Sequence, residues 1–143
     1  MQAQQALPVS GLYYKIKNQN TGTTYIGGNG TGADAVKHEN AQTNPAYQVF
    51  QIVGNNTDGW TLKQVETGNY IAHNVYPNAW TGGYETQATG DYTQLYKFDN
   101  TTSADFIIIT KKGSSGSFSY GIGYDAAVSG STLYFDKGTG NQN

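Results

Sequence analysis

Apolar and polar residues alternate in short runs along most of the chain, as in "YKIK" at 14–17 and "GWTLKQ" at 59–64. Clusters of Gly, Asn, Asp, Thr and Ser separate the runs, and no segment keeps a 3.6-residue apolar period for three turns. Such alternation is typical of half-buried β-strands joined by tight turns. The pattern predicts an all-β protein with strands at about 13–18, 23–28, 35–40, 47–53, 59–65, 69–74, 83–88, 94–99, 105–112, 117–123 and 131–136.

The predicted strands recur with a fixed period. The aromatic residues that open comparable strands are separated by 60 − 14 = 46 and 106 − 60 = 46 positions: Tyr14, Trp60 and Phe106. The glycines of the turns that follow keep nearly the same period, with separations of 46 and 48: Gly22, Gly68 and Gly116. Phe50 and Phe98, in two further strands, are 48 apart. A fixed period of this length indicates a repeat architecture.

Three units of four short strands favour one architecture over two others. Propellers use four or more blades, and a solenoid of three repeats leaves exposed ends that need capping. A β-trefoil closes three such units into a barrel and so removes open sheet edges. We therefore expect an N-terminal tail at 1–11 and a β-trefoil domain at 12–143, with repeats at 12–56, 57–102 and 103–143.

The chain resembles a ricin-type (R-type) β-trefoil lectin domain over about residues 12–143. In that family each repeat ends in a Gln-x-Trp strand, which "QVF" at 48–50 matches with Phe in place of Trp and "YKF" at 96–98 matches more weakly. The opening "YYKIKNQNTGTTYIG" at 13–27 is similar to trefoil modules of secreted bacterial glycan-processing proteins. The resemblance implies a non-catalytic carbohydrate-binding module that is covalently attached to further domains.

The same period raises a question about the last strand of the third repeat. A third counterpart of Phe50 and Phe98 falls near position 146, whereas the sequence ends at Asn143. We therefore expect the strand that closes the barrel to be missing from these 143 residues. Either the sequence is a module of a longer protein, or residues 2–9 or another molecule fill the vacant position.

Charge and composition exclude several classes of partner. Charged residues make up 13% of the chain, the net charge is −2, and all eight basic residues are Lys. Nucleic-acid binding usually needs a basic patch in which Arg makes bidentate contacts, so we expect no nucleic-acid partner. No apolar run approaches the ~18 residues of a membrane span. The small residues of "AQQA" at 3–6 suit the remainder of a cleaved signal peptide and favour a secreted or cell-surface protein, although a flexible tail is the alternative.

The sequence gives little support for catalysis. His38 and His73 are the only histidines, there is no Cys, and no hydrolase, metalloprotease or phosphate-binding motif occurs. The carboxylates show no spacing that favours an acid–base pair over solvated positions. We therefore predict no enzyme activity, no catalytic residue, no metal site and no cofactor.

The resemblance also implies where a sugar would bind, because in the family an Asp near the start of the second strand bonds the sugar hydroxyls. The matching positions here are Gly27, Ala72 and Gly121, so the usual galactose signature is missing from all three repeats. The specificity of the family cannot therefore be carried over to this chain.

An aromatic stretch in the second repeat offers a different candidate site. Trp80 has no counterpart in the other repeats, and aromatic and amide side chains surround it. An aromatic platform beside hydrogen-bonding groups suits a pyranose, which is apolar on one face and polar at its rim. The predicted carbohydrate-binding residues are Trp80, Tyr84, Tyr76, His73, Asn74 and Asn78.

Several alternatives stay open. Trp80 could instead fold inward and plug the barrel, and His73 could serve only as a hydrogen-bonding loop residue. Weaker candidate sites in the first and third repeats are Asn29, Asp34, His38, Tyr124, Asp125 and Tyr134. The whole domain could also bind a protein, or only space other domains, because folds are often reused without their ancestral site.

The strand pattern finally predicts which side chains form the core. The inward positions of the alternating runs hold large apolar residues, and burying them supplies most of the stability of a domain of this size. Trp60, aligned with Tyr14 and Phe106, is expected to be a structural anchor. The other predicted core residues are Ile16, Ile26, Phe50, Ile52, Leu62, Ile71, Phe98, Ile108 and Leu133.

Overall fold

A computed structural model describes residues 5–17, 24–29, 35–40, 44–73, 82–102, 104–124 and 131–136 of the chain. Eleven β-strands occur in these ranges, and each overlaps one of the predicted strands. No α-helix is present among the described residues. The strands are β1 Tyr13–Tyr14, β2 Tyr25–Gly27, β3 Lys37–Glu39, β4 Phe50–Asn55, β5 Gly59–Gln64, β6 Tyr70–Ala72, β7 Gly83–Glu85, β8 Tyr96–Asp99, β9 Ile108–Lys112, β10 Phe118–Tyr124 and β11 Ser131–Asp136.

All strand pairs are antiparallel, and most join strands that are neighbours in sequence. The longest ladder is the hairpin β4–β5, with six residue pairs, followed by β8–β9 and β10–β11 with four each and by β2–β3 and β6–β7 with three each. The hairpins are joined through β5–β6, β5–β8, β9–β10 and β11–β3, and β1 pairs with β4. Residues 56–58 alone join β4 to β5, as a tight turn between antiparallel strands allows, whereas the connections from β2 to β3, from β6 to β7 and from β8 to β9 are longer.

Two short 3-10 helices precede β4 and β8, at Pro45–Gln48 and Tyr92–Gln94. The sequence pattern had extended the following strands back over residues 47–49 and 94–95, and this extension was wrong. Asn44 accepts a hydrogen bond from the Ala46 amide through Oδ1 at 3.1 Å, and Pro45 fixes the first helical φ. An Asn–Pro pair of this kind favours a turn over a strand start.

The core is the buried inner face of these strands. Six predicted core residues are confirmed as buried: Ile26, Phe50, Ile52, Leu62, Ile71 and Phe98. Ile16 is only partly buried but packs against the core. The prediction for Ile108 was wrong by one position, because β9 turns Ile109 inward instead. The side chain of Leu133 lies outside the described part of the molecule.

Trp60 is a structural anchor, as predicted. Its side chain is buried, its ring meets Phe98 edge-on with centroids 5.7 Å apart, and Nε1 donates to Asn56 Oδ1 at 2.9 Å. The same Asn56 Oδ1 accepts from the Phe98 amide at 2.9 Å. One amide side chain therefore links the hairpin of β4 and β5 to β8.

The pairing of the strands shows that one predicted match between repeats, that of Phe50 with Phe98, is wrong. Tyr14 pairs with Phe50 and Trp60 pairs with Tyr96, so both pairings join residues 36 apart. Phe50 therefore corresponds to Tyr96, at a distance of 46, and not to Phe98. The second Gln-x-aromatic motif is "QLY" at 94–96 rather than "YKF" at 96–98. The constant separation of 46 between Gln48 and Gln94 is the signal that would have identified it.

Gly54, in the hairpin of β4 and β5, cannot accept a side chain without distortion. Its φ is +137°, and a Cβ there would lie 2.2 Å from the carbonyl oxygen of Gly59 and 2.9 Å from the Cα of Trp60. We expect Gly54→Ala to lower the free energy of unfolding by at least about 2 kcal/mol, since strain and a backbone clash add. The measurement is urea denaturation followed by circular dichroism.

Gly90→Ala is the matched control for this prediction. Gly90 also has a positive φ, +73°, but a Cβ there would meet nothing within 4 Å. Only the conformational cost of about 1 kcal/mol applies. Equal losses for the two variants would show that the close approach at Gly54 relaxes and that the hairpin geometry is wrong.

Candidate functional site

The candidate site lies at the hairpin formed by β6 and β7. Ile71 pairs with Tyr84 and Ala72 pairs with Gly83, so residues 73–82 connect the two strands at one end of the hairpin. This connection holds every residue of the predicted site except Tyr84. Asn74, Tyr76, Asn78 and Trp80 lie outside the described residues. His73 and Tyr84, which flank them, are described.

Tyr84 belongs to the interior of the molecule. Its side chain is 5% exposed, and its hydroxyl donates to the Gly27 carbonyl at 2.8 Å. The hydroxyl also accepts from Gln64 Nε2 at 3.3 Å. Burial, with a smaller contribution from the charge of Glu39, raises the pKa of Tyr84 far above its usual value. The phenol therefore stays protonated and ties β7 to β2.

His73 is also buried, with 1% of its surface exposed. Its amide donates to the Thr93 carbonyl at 2.8 Å, and Nε2 lies 2.8 Å from the Tyr92 carbonyl. A carbonyl only accepts, so Nε2 carries the proton and donates. The imidazole also meets the Tyr96 ring edge-on, with centroids 5.7 Å apart. His73 therefore fixes the end of β6 to the 3-10 helix Tyr92–Gln94, which is the hydrogen-bonding role that the sequence left open.

Burial gives His73 a measurable pH signature. Loss of hydration and, to a smaller extent, the charge of nearby Lys111 lower the pKa of His73 from 6.5 to about 4, although the bond to the Tyr92 carbonyl acts in the opposite direction. At this position the unfolded chain therefore binds more protons than the folded chain between pH 6.5 and 4. The contribution of His73 to stability is fully present above pH 6.5 and is lost toward pH 4, by up to about 1.4 kcal/mol per pH unit.

This dependence is tested by urea denaturation at pH 7.5 and pH 5. We expect a lower free energy of unfolding at pH 5, and a much weaker dependence on pH in His73→Gln. His38→Gln is the matched control, since it removes the other histidine. An unchanged pH dependence in His73→Gln, or its loss in His38→Gln, would show that His73 is not the group responsible.

These contacts divide the predicted site into two parts. His73 and Tyr84 hold the base of the β6–β7 connection, and their polar atoms are directed to backbone groups inside the protein. Buried side chains with these partners do not offer hydrogen bonds to a ligand at the surface. The residues that remain candidates for contact with a carbohydrate are therefore Asn74, Tyr76, Asn78 and Trp80.

Three buried glutamines stabilise the strand ends around the base of the β6–β7 connection. The sequence pattern did not predict them as a group. Gln64 donates through Nε2 to the carbonyls of Gly28, at 3.1 Å, and Tyr47, at 2.8 Å. Gln48 donates to the Asn40 carbonyl and Gln94 to the Gln87 carbonyl, each at 2.8 Å. Gln48 and Gln94 thus bond carbonyls just beyond the ends of β3 and β7, and Gln64 bonds one just beyond β2 and one in the 3-10 helix Pro45–Gln48.

Two of the positions at which the resemblance placed a sugar-binding Asp are buried in this chain. Gly27 is buried, and a Cβ there would lie 2.9 Å from Cγ of Gln48. Ala72 has no exposed surface. An Asp at Gly27 would therefore displace Gln48, and an Asp at Ala72 would be a buried carboxylate.

Of the weaker candidate residues in the first and third repeats, the structure describes the side chain of Asn29 alone. Asn29 is exposed after β2, whereas Asp34 and Asp125 lie outside the described residues. The side chains of the other three candidates are also not described: His38, Tyr124 and Tyr134. Within the described ranges, no three His, Asp or Glu side chains come together as metal ligands.

No helix in the described part of the chain is long and apolar enough to cross a membrane.

The fold is similar to that of solved structures, which include a β-trefoil. A β-trefoil named BEL superposes with a TM-score of 0.71 at 15% identity, covering 96% of this chain and 92% of that one. The Macrolepiota procera ricin B-like lectin MPL, solved in complex with lactose, superposes with a TM-score of 0.71 at 14% identity, covering 96% and 94%. The fold is therefore a β-trefoil, and its similar structures include ricin B-like lectins.

A larger protein also contains a similar domain. A mosquitocidal holotoxin superposes with a TM-score of 0.73 at 12% identity, and the match covers 94% of this chain but only 16% of the toxin. No protein-family model matches the sequence, and no curated protein matches it. At these identities the likeness defines the fold alone.

Proposed function

We propose that this chain is a non-catalytic carbohydrate-binding module of a larger secreted protein, and that the residues 74–80 between β6 and β7 contact the glycan. Trp80 stacks on the apolar face of a sugar, while Tyr76, Asn74 and Asn78 bond its hydroxyls. The observation that carries the proposal is the combination of a β-trefoil fold with an aromatic and amide-rich connection on a rigid, hydrogen-bonded base.

The base supports the proposal because a binding loop needs fixed ends. Loops on a rigid scaffold commonly carry binding residues. His73 anchors one end of the connection through Thr93 and Tyr92, and Tyr84 anchors the returning strand through Gly27. The Gly82 carbonyl further accepts from the Val36 amide at 3.2 Å, which joins the β6–β7 hairpin to the β2–β3 hairpin.

The glycan is expected to differ from that of the similar lectin. The Macrolepiota procera lectin was solved with lactose, but the Asp of the galactose signature is replaced by Gly27, Ala72 and Gly121 in this chain. A single shallow site buries few ligand atoms, so one module binds weakly, and avidity arises from several modules or a multivalent target. The holotoxin supports attachment to further domains, since its trefoil is a small part of a long chain.

A glycan array probed with a fluorescent multimer of the chain tests the proposal. We expect binding to at least one class of polysaccharide, competed by soluble fragments of it, with weak or absent binding to lactose. A multimer that binds no glycan would exclude the proposal. That result would favour the alternative, a domain that binds a protein or only spaces other domains. The absence of the family's sugar-binding Asp residues supports this alternative.

A further inference from the structure

Two equivalent junctions hold the ends of β2 and β6 in place. In the first, Gly28 follows β2, and its carbonyl accepts a hydrogen bond from Gln64 Nε2 of β5 at 3.1 Å. The β2–β3 and β6–β7 hairpins have the same register when Ile26 is matched with Ile71. Gly28 of the first junction therefore corresponds to His73 of the second, which lies two positions after Ile71.

The partner strands of the two junctions also correspond. Phe50 of β4 pairs with Gln64, and Tyr96 of β8 pairs with Lys111, so Lys111 takes the position of Gln64. Both side chains are buried, with 0% of the surface of Gln64 and 8% of that of Lys111 exposed. The junction of β2 therefore contains two residues that do not titrate, whereas the junction of β6 contains two bases.

The two bases of the second junction lie close together. The His73 ring meets the Tyr96 ring edge-on with centroids 5.7 Å apart, and Tyr96 lies opposite Lys111 in the adjoining strand. Loss of hydration and the charge of Lys111 lower the pKa of His73, and loss of hydration also lowers the pKa of Lys111. A proton on His73 would therefore place a second positive charge in a buried space that already disfavours one.

The other groups around the imidazole offset this cost only in part. The Tyr92 carbonyl of the 3-10 helix accepts from Nε2 and favours the charged form. The Tyr96 phenol stays neutral, because burial and the charge of Glu85 on β7 raise its pKa. Glu85 itself accepts from Gln94 Nε2 at 3.1 Å, and no carboxylate among the described residues favours a charged His73.

Two backbone hydrogen bonds hold the second junction closed. The His73 amide donates to the Thr93 carbonyl at 2.8 Å and so fixes the end of β6 to the 3-10 helix. The Lys112 amide donates to the Leu95 carbonyl at 2.9 Å and so fixes β9 to the residue that follows this helix. Separation of these elements would let water reach both bases. Opening of the junction therefore restores the hydration that a charged imidazole needs.

We propose that the junction between β6, the 3-10 helix Tyr92–Gln94 and β9 opens in acid before the rest of the protein unfolds, because His73 and Lys111 repel each other there once both are charged. The equivalent junction of β2, built on Gly28 and Gln64, stays closed. Since His73 also anchors the proposed sugar site, acid would loosen that site, and this consequence alone rests on the proposed function.

Amide hydrogen exchange, followed by NMR at pH 7.5 and pH 5 in low concentrations of urea, tests this opening without any glycan. The reporter is the Lys112 amide, and the matched control is the Val65 amide, which makes the equivalent bond of 2.9 Å to the Val49 carbonyl in the first junction. Local opening is nearly independent of urea, whereas urea promotes global unfolding. The urea-independent part of the exchange, corrected for the intrinsic rates, therefore reports each junction separately.

The size of the expected response follows from the titration of His73. A proton that binds with a pKa of about 4 in the closed junction and 6.5 in the open one favours opening about 30-fold at pH 5. We expect Lys112 exchange to accelerate by about this factor between pH 7.5 and pH 5, and Val65 exchange to change by less than about threefold. His73→Gln should remove the response at Lys112, and His38→Gln should keep it. Lys111→Gln should weaken the response and raise the pKa of His73 in an NMR titration, and it remains as a test if His73→Gln does not fold.

Three results would overturn the proposal. Lys112 exchange that depends on urea as steeply as global unfolding would show that the junction opens only when the whole protein unfolds. An equal acceleration of the Val65 and Lys112 amides would show that the two bases do not distinguish the junctions. An unchanged pKa of His73 in Lys111→Gln would show that repulsion between His73 and Lys111 is not the cause.

Discussion

Phe50→Ala is expected to lower the free energy of unfolding by about 3–5 kcal/mol. Phe50 has no exposed surface and lies where β4 pairs with both β1 and β5, through Tyr14 and Gln64. Removing its ring leaves a cavity that three strands share, and the paired backbones limit how far the site can collapse around it. Urea denaturation at pH 7.5 measures the loss.

Val53→Ala is the matched control for Phe50→Ala. Val53 lies in the same strand but is 44% exposed, so its truncation should change stability by less than about 0.5 kcal/mol. A loss below about 1 kcal/mol for Phe50→Ala would show that the register of β4 is wrong. Equal losses for the two variants would show that β4 is turned by one residue.

The strand pattern predicted the fold because a β-trefoil is built from local hairpins. Alternation and turn residues act within a few positions, and all eleven observed strands overlap predicted ones. The predictions of buried positions were wrong where burial is decided by contacts between residues that are distant in sequence. Ile107, Ile108 and Ile109 are equally apolar, so only the pairing of Phe98 with Ile109 decides which of them faces inward.

The candidate site was less predictable than the fold. Tyr84 and His73 lie beside an aromatic-rich stretch, and sequence proximity alone grouped them with it. Their burial results from contacts with distant residues: Tyr84 with Gly27 and His73 with Tyr92. No local pattern encodes these contacts. The buried Gln94 was predictable in principle, because it follows Gln48 at 46 positions, the same period as Tyr14 and Trp60.

Trp80→Ala has the largest expected effect on function. If Trp80 is the platform for a sugar, its removal should abolish glycan binding and leave Tm nearly unchanged, since a platform residue holds ligand and not the fold. If Trp80 instead plugs the barrel, the same substitution should cost several kcal/mol of stability. The two interpretations therefore predict opposite results for one variant.

Tyr84→Phe is the matched control for Trp80→Ala. It removes the buried hydroxyl that bonds the Gly27 carbonyl and Gln64, and so should cost about 1–3 kcal/mol. Because Tyr84 supports the base and does not reach the surface, its variant should still bind glycan at temperatures where it is folded. If Tyr84→Phe lost glycan binding and Trp80→Ala kept it, the binding site would lie on the β6–β7 hairpin and not at Trp80.

The most direct test of the proposed function is affinity electrophoresis of the wild type, Trp80→Ala and Tyr84→Phe in gels containing the polysaccharide identified on the array, with a thermal melt of each variant. We expect the polysaccharide to retard the wild type and Tyr84→Phe but not Trp80→Ala, whose Tm matches the wild type. A Trp80→Ala variant that is retarded like the wild type, or one that is destabilised while the wild type shows no retardation, would contradict carbohydrate binding at this loop.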